Sequence, residues 1–224
     1  MFSIERDGFS ILPDVLSGSE IDFVTVELSS RAAGRSRAGI RHLLSQPVVS
    51  NIAHSAPFLA AARQVLGPHA FPFTATLFSK TEAANWLIVW HQDTALPIRQ
   101  KCEMQGWGPW SVKDGFVYAH APAHALQQVL ALRIHLDDCF EDDGPLRVLP
   151  GTHKQGVLTD DEVQRLSREL SPVDCVLPRG GVLAMRPLLV HASSKSRTRR
   201  PRRVLHIEYA GSLTTSDGLE LAAA

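Results

Sequence analysis

The sequence predicts a mainly β domain with flanking helices, built as a barrel or a two-sheet sandwich, and a jelly roll is one such architecture. Two features predict it. The first part is helical, and short runs rich in Val, Leu, Ile and aromatic residues then follow between clusters of Pro, Gly and Asp. The 224 residues and 44% hydrophobic content fit one large domain better than two small ones. We therefore expect a single domain over residues 1–224, helical over about 1–68 and a barrel over about 69–212.

The helices and strands have separate local signals. Ser17 precedes Glu20 by three residues, as in a capping box, and apolar residues follow at helical spacing. A second helix is predicted between Pro57 and Gly67, and a capping box at Thr159 predicts one more helix among the strands. The predicted strands are AFPFTATLFSK, NWLIVWHQD, VLALRIHLDD, LRVLP, DCVLP, GGVLAMRP and RRVLHIEYA.

The composition argues against several classes of function. The 23 basic and 23 acidic side chains balance, and the strongly basic run is KSRTRRPRR, so we expect no nucleic-acid partner. Cys102, Cys139 and Cys175 form no CxxC pair, which argues against a disulfide framework or a structural zinc and favours a reducing compartment. The N-terminus lacks the apolar core of a signal peptide, and no apolar run reaches the length of a membrane span. We expect a cytoplasmic protein without a membrane partner, and a monomer, because no heptad pattern is visible.

A long segment, residues 94–128, does not fit a tight hairpin. It contains Trp107, Trp110 and Tyr118 among glycines and prolines. Long loops inside compact domains are often binding loops or lids. We expect a lid over the site, with an insertion that packs on the barrel exterior as the alternative.

Three histidine–acid pairs are candidates for metal binding. Side chains two residues apart on a strand point to the same face, so such a pair offers an imidazole and a carboxylate to one ion. Spacing alone does not choose among the three. They are His91-x-Asp93, His135-x-Asp137 and His206-x-Glu208.

The flanking residues favour the first pair. His135 shares its face with Arg133, but either face of that strand could be the barrel interior, and Asp137 begins an acidic turn. No histidine follows His206 in the chain. The flanks of the first pair are apolar, and several histidines downstream could supply a third ligand.

A non-haem iron site needs two histidines and one carboxylate on one face of an octahedron, which leaves positions for a co-substrate and oxygen. His191 is a suitable third ligand because it follows the apolar run GGVLAMRPLLV and would arrive on a distant strand. His120 and His124, spaced as on one helix face, are a less favoured zinc pair.

Several blocks resemble the phytanoyl-CoA dioxygenase family of Fe(II)- and 2-oxoglutarate-dependent oxygenases. The opening DGFSILPDVLSGSE is also similar to that family, and the blocks occur in the family's order. The resemblance implies a double-stranded β-helix, a cupin-like jelly roll that holds one iron and uses 2-oxoglutarate and O2. The blocks are WHQD, LDDCFEDDGPLRVLPGTH, GGVLAMRPLLVHASS and RPRRVLHIEYA.

The resemblance also implies roles for single residues. It makes His91 and Asp93 the proximal iron ligands and His191 the distal one. An arginine on the next strand binds the far carboxylate of 2-oxoglutarate, a role that suits a bidentate guanidinium. Arg202 and Arg203 both lie there, on opposite strand faces, and Arg202 is favoured.

Other residues near these blocks are expected to assist. Ser193 matches a hydroxyl that helps to hold the same carboxylate, and Lys80 and Asn85 are polar residues expected to face the co-substrate. The residues expected to line the substrate pocket are Trp107, Trp110, Tyr118, Arg133 and His206.

The implied activity is hydroxylation of an unactivated carbon of a small organic substrate, with release of succinate and CO2. Desaturation, cyclisation or epoxidation at the same iron centre is the first alternative, and a jelly roll that only binds a metal or a ligand is the second. An intact Asp93 argues against halogenation, because related halogenases have a small residue there. The sequence leaves open which substrate is used and whether it is a CoA thioester.

Overall fold

The computed structural model describes residues 3–32 and 39–223. Short 3-10 turns at Leu43–Ser45, Glu141–Asp143 and Thr152–Gln155 connect the larger elements. The helices are α1 (Ile4–Asp7), α2 (Gly18–Ala32), α3 (Pro47–Ala53), α4 (Ala56–Leu66), α5 (Ala123–Leu126) and α6 (Asp160–Glu169). The strands are β1 (Phe9–Leu12), β2 (Gly39–Ile40), β3 (Phe71–Lys80), β4 (Ile88–His91), β5 (Ala95–Ile98), β6 (Trp110–Lys113), β7 (Phe116–His120), β8 (Val129–His135), β9 (Leu146–Val148), β10 (Val173–Cys175), β11 (Val182–Met185), β12 (His191–Ser193) and β13 (Arg202–Ala210).

The largest sheet has six strands in the order β1-β11-β8-β13-β3-β2, and its pairs are antiparallel. One face of this sheet is apolar: Leu132 and Ile134 of β8 and Ile207 of β13 pack with Phe58 of α4 and Val24 of α2 in one buried cluster. The helices therefore cover the outer face of the sheet, as the pattern of short strands after a helical opening predicts.

A four-stranded sheet, in the order β10-β9-β12-β4, packs against the inner face of the first. Phe9, Ala131 and Met185 of the six-stranded sheet share a buried cluster with Leu146 and Val148 of the four-stranded one. Two antiparallel sheets packed face to face over such a cluster form a jelly roll, which confirms the predicted fold class.

The structure decides which face of β8 is interior, a question that alternation alone left open. All seven residues of the strand are buried, so both faces are covered. Leu130, Leu132 and Ile134 pack against the helices. Arg133 and His135 therefore point into the barrel, where a charged side chain requires polar partners.

Residues 94–128 form an ordered unit rather than one open loop. Strands β5, β7 and β6 make a separate three-stranded antiparallel sheet. Leu96 and Trp107 pack with Phe73 and Ala210 of the barrel in an apolar cluster. This sheet lies on the barrel wall, and its action as a lid stays a prediction.

Among the helices of the described residues, none is both long and apolar enough to cross a membrane.

Candidate metal centre

Three strand ends bring the predicted ligands together. His91 ends β4, and Asp93 lies two residues further on, held by a hydrogen bond from its backbone N–H to the carbonyl of Pro187 at 3.0 Å. His191 begins β12 and is the direct pairing partner of His91 in the antiparallel β12–β4 ladder. The sheet register therefore joins residues that are far apart in the sequence.

The three side chains form a compact donor set. Nε2 of His91 lies 3.6 Å from Oδ1 of Asp93, and Nε2 of His191 lies 3.5 Å from Oδ2. The two imidazole rings are 4.2 Å apart at their centroids and inclined by 52°. One ligand atom from each residue lies within 4.8 Å of the others, a spacing that one ion can bridge.

Backbone hydrogen bonds set the tautomer of both histidines. Nδ1 of His91 lies 2.8 Å from the carbonyl oxygen of Val89, and Nδ1 of His191 lies 2.9 Å from that of Leu189. A carbonyl only accepts, so each Nδ1 carries the proton, and each Nε2 keeps a lone pair that faces Asp93. Such a partner on the second nitrogen is the usual way in which proteins orient metal-binding imidazoles.

The charge states of two of the three groups suit a metal ion. For the third, burial acts to lower the pKa of His91, but Asp93 outweighs it and raises that pKa. Burial lowers the pKa of His191 to about 4, although Asp93 opposes this, so the imidazole is neutral at pH 7. Burial acts to raise the pKa of Asp93, but His191 and His91 outweigh it and hold that pKa well below its usual range. His191 is buried, whereas the side chains of His91 and Asp93 are 36% and 40% exposed. The donor set is therefore open on one side, where co-substrate and oxygen need access.

A cationic pocket lies beside the donor set. Arg202 of β13 pairs directly with Lys80 of β3, and both side chains are buried. Nζ of Lys80 donates to Oγ of Ser193 at 2.7 Å and to the carbonyl of Ser194 at 2.5 Å. Nη2 of Arg202 donates to the same Oγ at 3.2 Å, which in turn donates to the carbonyl of Gly144 at 2.9 Å.

This pocket has more positive charge than its protein partners neutralise. Within the described ranges, neither Lys80 nor Arg202 has an ion pair with a carboxylate, and Nε of Arg202 is buried without an acceptor. Burial, with a further effect from Arg202, lowers the pKa of Lys80 to about 7. An anionic ligand would satisfy both groups.

The structure separates the two candidate arginines. Arg203 points away from the pocket and pairs with Asp137, to which its Nε donates at 2.8 Å and its Nη2 at 2.5 Å. Arg202 enters the barrel. Strand parity predicts this arrangement.

Asn85 is bonded to the loop that follows β12. Its Nδ2 donates to the carbonyl of Ser196 at 2.8 Å, and its Oδ1 accepts from the backbone N–H of Ser196 at 2.7 Å. Both ends of the amide are thus bonded to the loop after β12. Asn85 therefore positions that loop, and its contact with the co-substrate stays a prediction.

The five residues expected at the substrate separate into two groups. Nη1 of Arg133 and Nδ1 of His206 lie 2.9 Å apart inside the barrel. Burial chiefly, and the charge of Glu208 in addition, raise the pKa of Tyr118 to about 12. Trp107 belongs to the apolar cluster of the outer sheet, where its Nε1 donates to Asp217 at 2.8 Å. Trp110 packs against that same cluster.

In the other candidate pairs, one or both members contact other residues. Asp137 forms an ion pair with Arg203 and is therefore not available as a partner of His135. Nδ1 of His120 lies 2.7 Å from Oγ1 of Thr94, and Nε2 of His124 lies 2.7 Å from Asp217, so these two histidines contact different residues.

Sequence reasoning missed Gln92, which lies between the two proximal ligands and is buried. Its Nε2 donates to the carbonyls of Gly156 at 2.9 Å and Leu188 at 2.6 Å, and its Oε1 accepts from the N–H of Leu158 at 2.8 Å. It joins the end of β4 to the segment that leads to His191. The sequence signal for this role is the position of Gln92 between the two ligands in the WHQD block. That position places its side chain on the strand face opposite the ligands.

Two imidazoles and one carboxylate, open on one side and placed beside a buried cationic pocket in a jelly roll, define a class of non-haem iron dioxygenases that use 2-oxoglutarate. The model of the phytanoyl-CoA dioxygenase (PhyH) family matches residues 4–204, and the chain belongs to this family. It is a 2-oxoglutarate-dependent non-haem iron dioxygenase.

Similar proteins are known in sequence and in structure. The chain is 25% identical over 248 residues to an L-proline trans-4-hydroxylase of Streptomyces griseoviridis, covering 91% of this chain and 82% of that protein. It is 25% identical over 182 residues to an ectoine dioxygenase of Bordetella bronchiseptica, covering 73% of this chain and only 51% of that enzyme. The chain therefore spans about half the length of the ectoine dioxygenases that it matches.

Two solved structures illustrate the shared fold. EctD from S. alaskensis with 2-oxoglutarate and 5-hydroxyectoine superposes with a TM-score of 0.71 at 21% identity, over 92% of this chain and 73% of that one. AviO1 from Streptomyces viridochromogenes Tue57 has a TM-score of 0.68 at 22% identity, over 96% and 94%.

Proposed function

We propose that the chain hydroxylates an unactivated carbon of a small organic substrate, with release of succinate and CO2, and that His91, Asp93 and His191 hold the iron. The orientation of the two imidazoles carries this proposal. Each Nδ1 is occupied by a backbone carbonyl, so both Nε2 lone pairs are directed at the Asp93 carboxylate. Two imidazoles and one carboxylate on one face are the donor set that Fe(II) oxygenases use.

Lys80, Arg202 and Ser193 are proposed to bind the far carboxylate of 2-oxoglutarate. They offer a planar guanidinium, an ammonium and a hydroxyl in one buried place without a protein carboxylate. Charge-assisted hydrogen bonds of this kind are about twice as strong as neutral ones. The keto-acid end of a molecule anchored there can reach the open side of the donor set.

When bound, iron supplies the oxygen activation that couples decarboxylation of 2-oxoglutarate to oxidation of a substrate C–H bond. The protein supplies geometry. Val89 and Leu189 hold the imidazoles through their carbonyls, and Gln92 holds the backbone between His91 and Asp93. The pocket residues hold the co-substrate in one orientation, which lowers the entropic cost of reaction.

A free small molecule is a better substrate candidate than a CoA thioester. The arginines that could bind CoA phosphates are each paired with a carboxylate, which cancels much of the charge of this surface. The pairs are Arg197–Asp142, Arg199–Glu82, Arg200–Asp143 and Arg203–Asp137. The names of the curated relatives, a proline hydroxylase and ectoine dioxygenases, also describe small-molecule oxidation.

Arg133 and His206 are proposed to line the substrate side of the barrel, because they are buried and polar and are paired on adjacent strands that face its interior. Tyr118 is proposed to approach them from β7 of the three-stranded sheet, where it is also buried. Trp107 and Trp110 are better candidates for supporting the outer sheet, since they pack in its apolar cluster.

The test is anaerobic binding of Fe(II) and 2-oxoglutarate to the purified chain. We expect the visible charge-transfer band of the chelate, its loss in His191→Ala, and its retention in His69→Ala, which removes an exposed histidine outside the site. Absence of the band in the unsubstituted protein would refute the dioxygenase assignment. Substrate-dependent succinate formation then identifies compounds that are oxidised.

A further inference from the structure

Arg133 is a buried cation that forms no ion pair with a carboxylate among the residues that the structure describes. Only 6% of the residue is exposed, and it lies on the interior face of β8. Burial lowers the pKa of its guanidinium to about 10, so the group remains charged at neutral pH. Within residues 3–32 and 39–223 it makes no ion pair and one hydrogen bond, to His206.

A short chain of side chains holds this guanidinium in place. An arginine only donates, so Nδ1 of His206 accepts from Nη1 of Arg133 at 2.9 Å, and the neutral imidazole carries its proton on Nε2. That Nε2 lies 3.9 Å from Oε1 of Glu208. His206 thus orients Arg133, and the negative charge of Glu208 favours the tautomer with the proton on Nε2.

Phe78 supports the same arrangement. The guanidinium carbon of Arg133 lies 5.4 Å from the centroid of the Phe78 ring, which contacts the His206 ring edge-on at 5.8 Å. Stacking on an aromatic ring and one bond at Nη1 leave Nε and Nη2 available. These two donors form a fork that matches the two oxygens of a carboxylate.

The position of Arg133 distinguishes it from the co-substrate pocket. His206 is the pairing partner of Arg133 and lies four residues beyond Arg202 on β13, about 13 Å along a strand. Arg133 nevertheless lies on the interior face of β8, as His206 does on β13, and the charges of Asp93 and Arg202 both act on its guanidinium. The two cationic positions are therefore at different places in the barrel interior.

We propose that Arg133 binds a carboxylate of the substrate, held for this purpose by His206 and Glu208, and that the substrates are small organic acids. This inference rests on the proposed function. An uncharged molecule would leave the guanidinium buried without a counter-ion, which is costly. A carboxylate at this position pairs with Nε and Nη2 and turns the rest of the molecule toward the open side of the donor set.

The test compares matched acids and amides with the iron- and 2-oxoglutarate-loaded enzyme. The panel consists of small aliphatic carboxylic acids and amino acids, each with its primary amide, and the readout is succinate formed above the substrate-free rate. We expect at least one acid to stimulate succinate formation and its amide to do so at least about tenfold less. Equal stimulation by acid and amide, or stimulation by no acid when the charge-transfer band is normal, would overturn the inference.

Variants then assign the effect to the residue. Arg133→Gln should raise KM for the acid about tenfold or more, His206→Asn should raise it less, and Arg197→Gln, at an exposed arginine, should leave it unchanged. Arg133→Lys keeps the buried charge and is the variant to use if Arg133→Gln loses the band.

The same variants separate this inference from its alternatives. Arg133→Gln could instead raise the 2-oxoglutarate concentration that gives half of the maximal charge-transfer band and leave the KM for the acid unchanged. In that case Arg133 binds the co-substrate and the inference fails. Absence of the band in the unsubstituted protein would refute the proposed function itself, and this inference with it.

Discussion

Arg202 and Lys80 face each other across the β13–β3 pair and both donate to one oxygen, Oγ of Ser193. Two buried cations side by side repel each other, so this arrangement is stable only when an anion or the loss of a proton relieves it. In the free protein, burial chiefly, and the charge of Arg202 in addition, lower the pKa of Lys80 to about 7.

Replacement of Arg202 should weaken binding of 2-oxoglutarate. Arg202→Gln removes a charge-assisted, bidentate interaction, and we expect the half-saturating 2-oxoglutarate concentration to rise about tenfold or more in anaerobic band titrations. Arg203→Gln is the control, because Arg203 pairs with Asp137 outside the pocket. Equal effects of the two substitutions would contradict the assignment.

Binding of 2-oxoglutarate should depend on pH through Lys80. The amino group titrates near pH 7 in the free protein because of burial and of Arg202, and a bound anion favours its charged form. Binding therefore takes up a proton, and affinity should fall as pH rises from about 7 to about 9. Titration of the unsubstituted protein and Lys80→Met across this range is the measurement. Lys80→Met should bind more weakly with a flatter pH profile, and an unchanged slope would exclude Lys80 as the cause.

Gln92 should position the ligands without touching the metal. Gln92→Leu leaves three buried backbone groups, of Gly156, Leu158 and Leu188, without their partner. We expect a loss of about 1–3 kcal/mol in the free energy of unfolding and weaker Fe(II) binding. Urea unfolding and metal titration measure the two effects. Gln100→Leu, at an exposed glutamine, should change neither.

Asp143 should stabilise the loops on either side of β12. Its buried carboxylate accepts from Thr198 Oγ1 at 2.5 Å, Arg200 Nε at 3.1 Å and the N–H of Phe140 at 3.0 Å. Burial acts to raise its pKa, but these donors outweigh it and lower the pKa below the usual 3.8. The stabilisation is present above that ordinary value and is lost as pH falls through the lowered one.

The substitution Asp143→Asn should therefore cost about 1–3 kcal/mol at neutral pH, measured by urea unfolding. Asp142→Asn is the matched control, because Asp142 is exposed and pairs with the exposed Arg197 at 3.4 Å, a contact of little energetic weight. A similar loss in both variants would show that the buried network is not the source of the stability.

Local sequence patterns determined much of this protein. Alternation along VLALRIHLDD predicts a strand with one polar and one apolar face, which the structure has as β8. The same two-residue period puts His91 and Asp93 on one side and separates Arg202 from Arg203. The capping box at Thr159 begins α6, where Oγ1 of Thr159 accepts from the N–H of Glu162. These features depend on neighbouring residues, whose geometry the backbone period dictates.

Only the tertiary structure decided which of three similar histidine–acid pairs meets a third ligand. His191 lies opposite His91 because β12 pairs with β4, and Lys80 lies opposite Arg202 because β3 pairs with β13. It also assigned Asn85 to a loop and joined Arg133 to His206. Each of these contacts links residues far apart in the chain, and it depends on how strands pair and sheets pack, which no local period encodes.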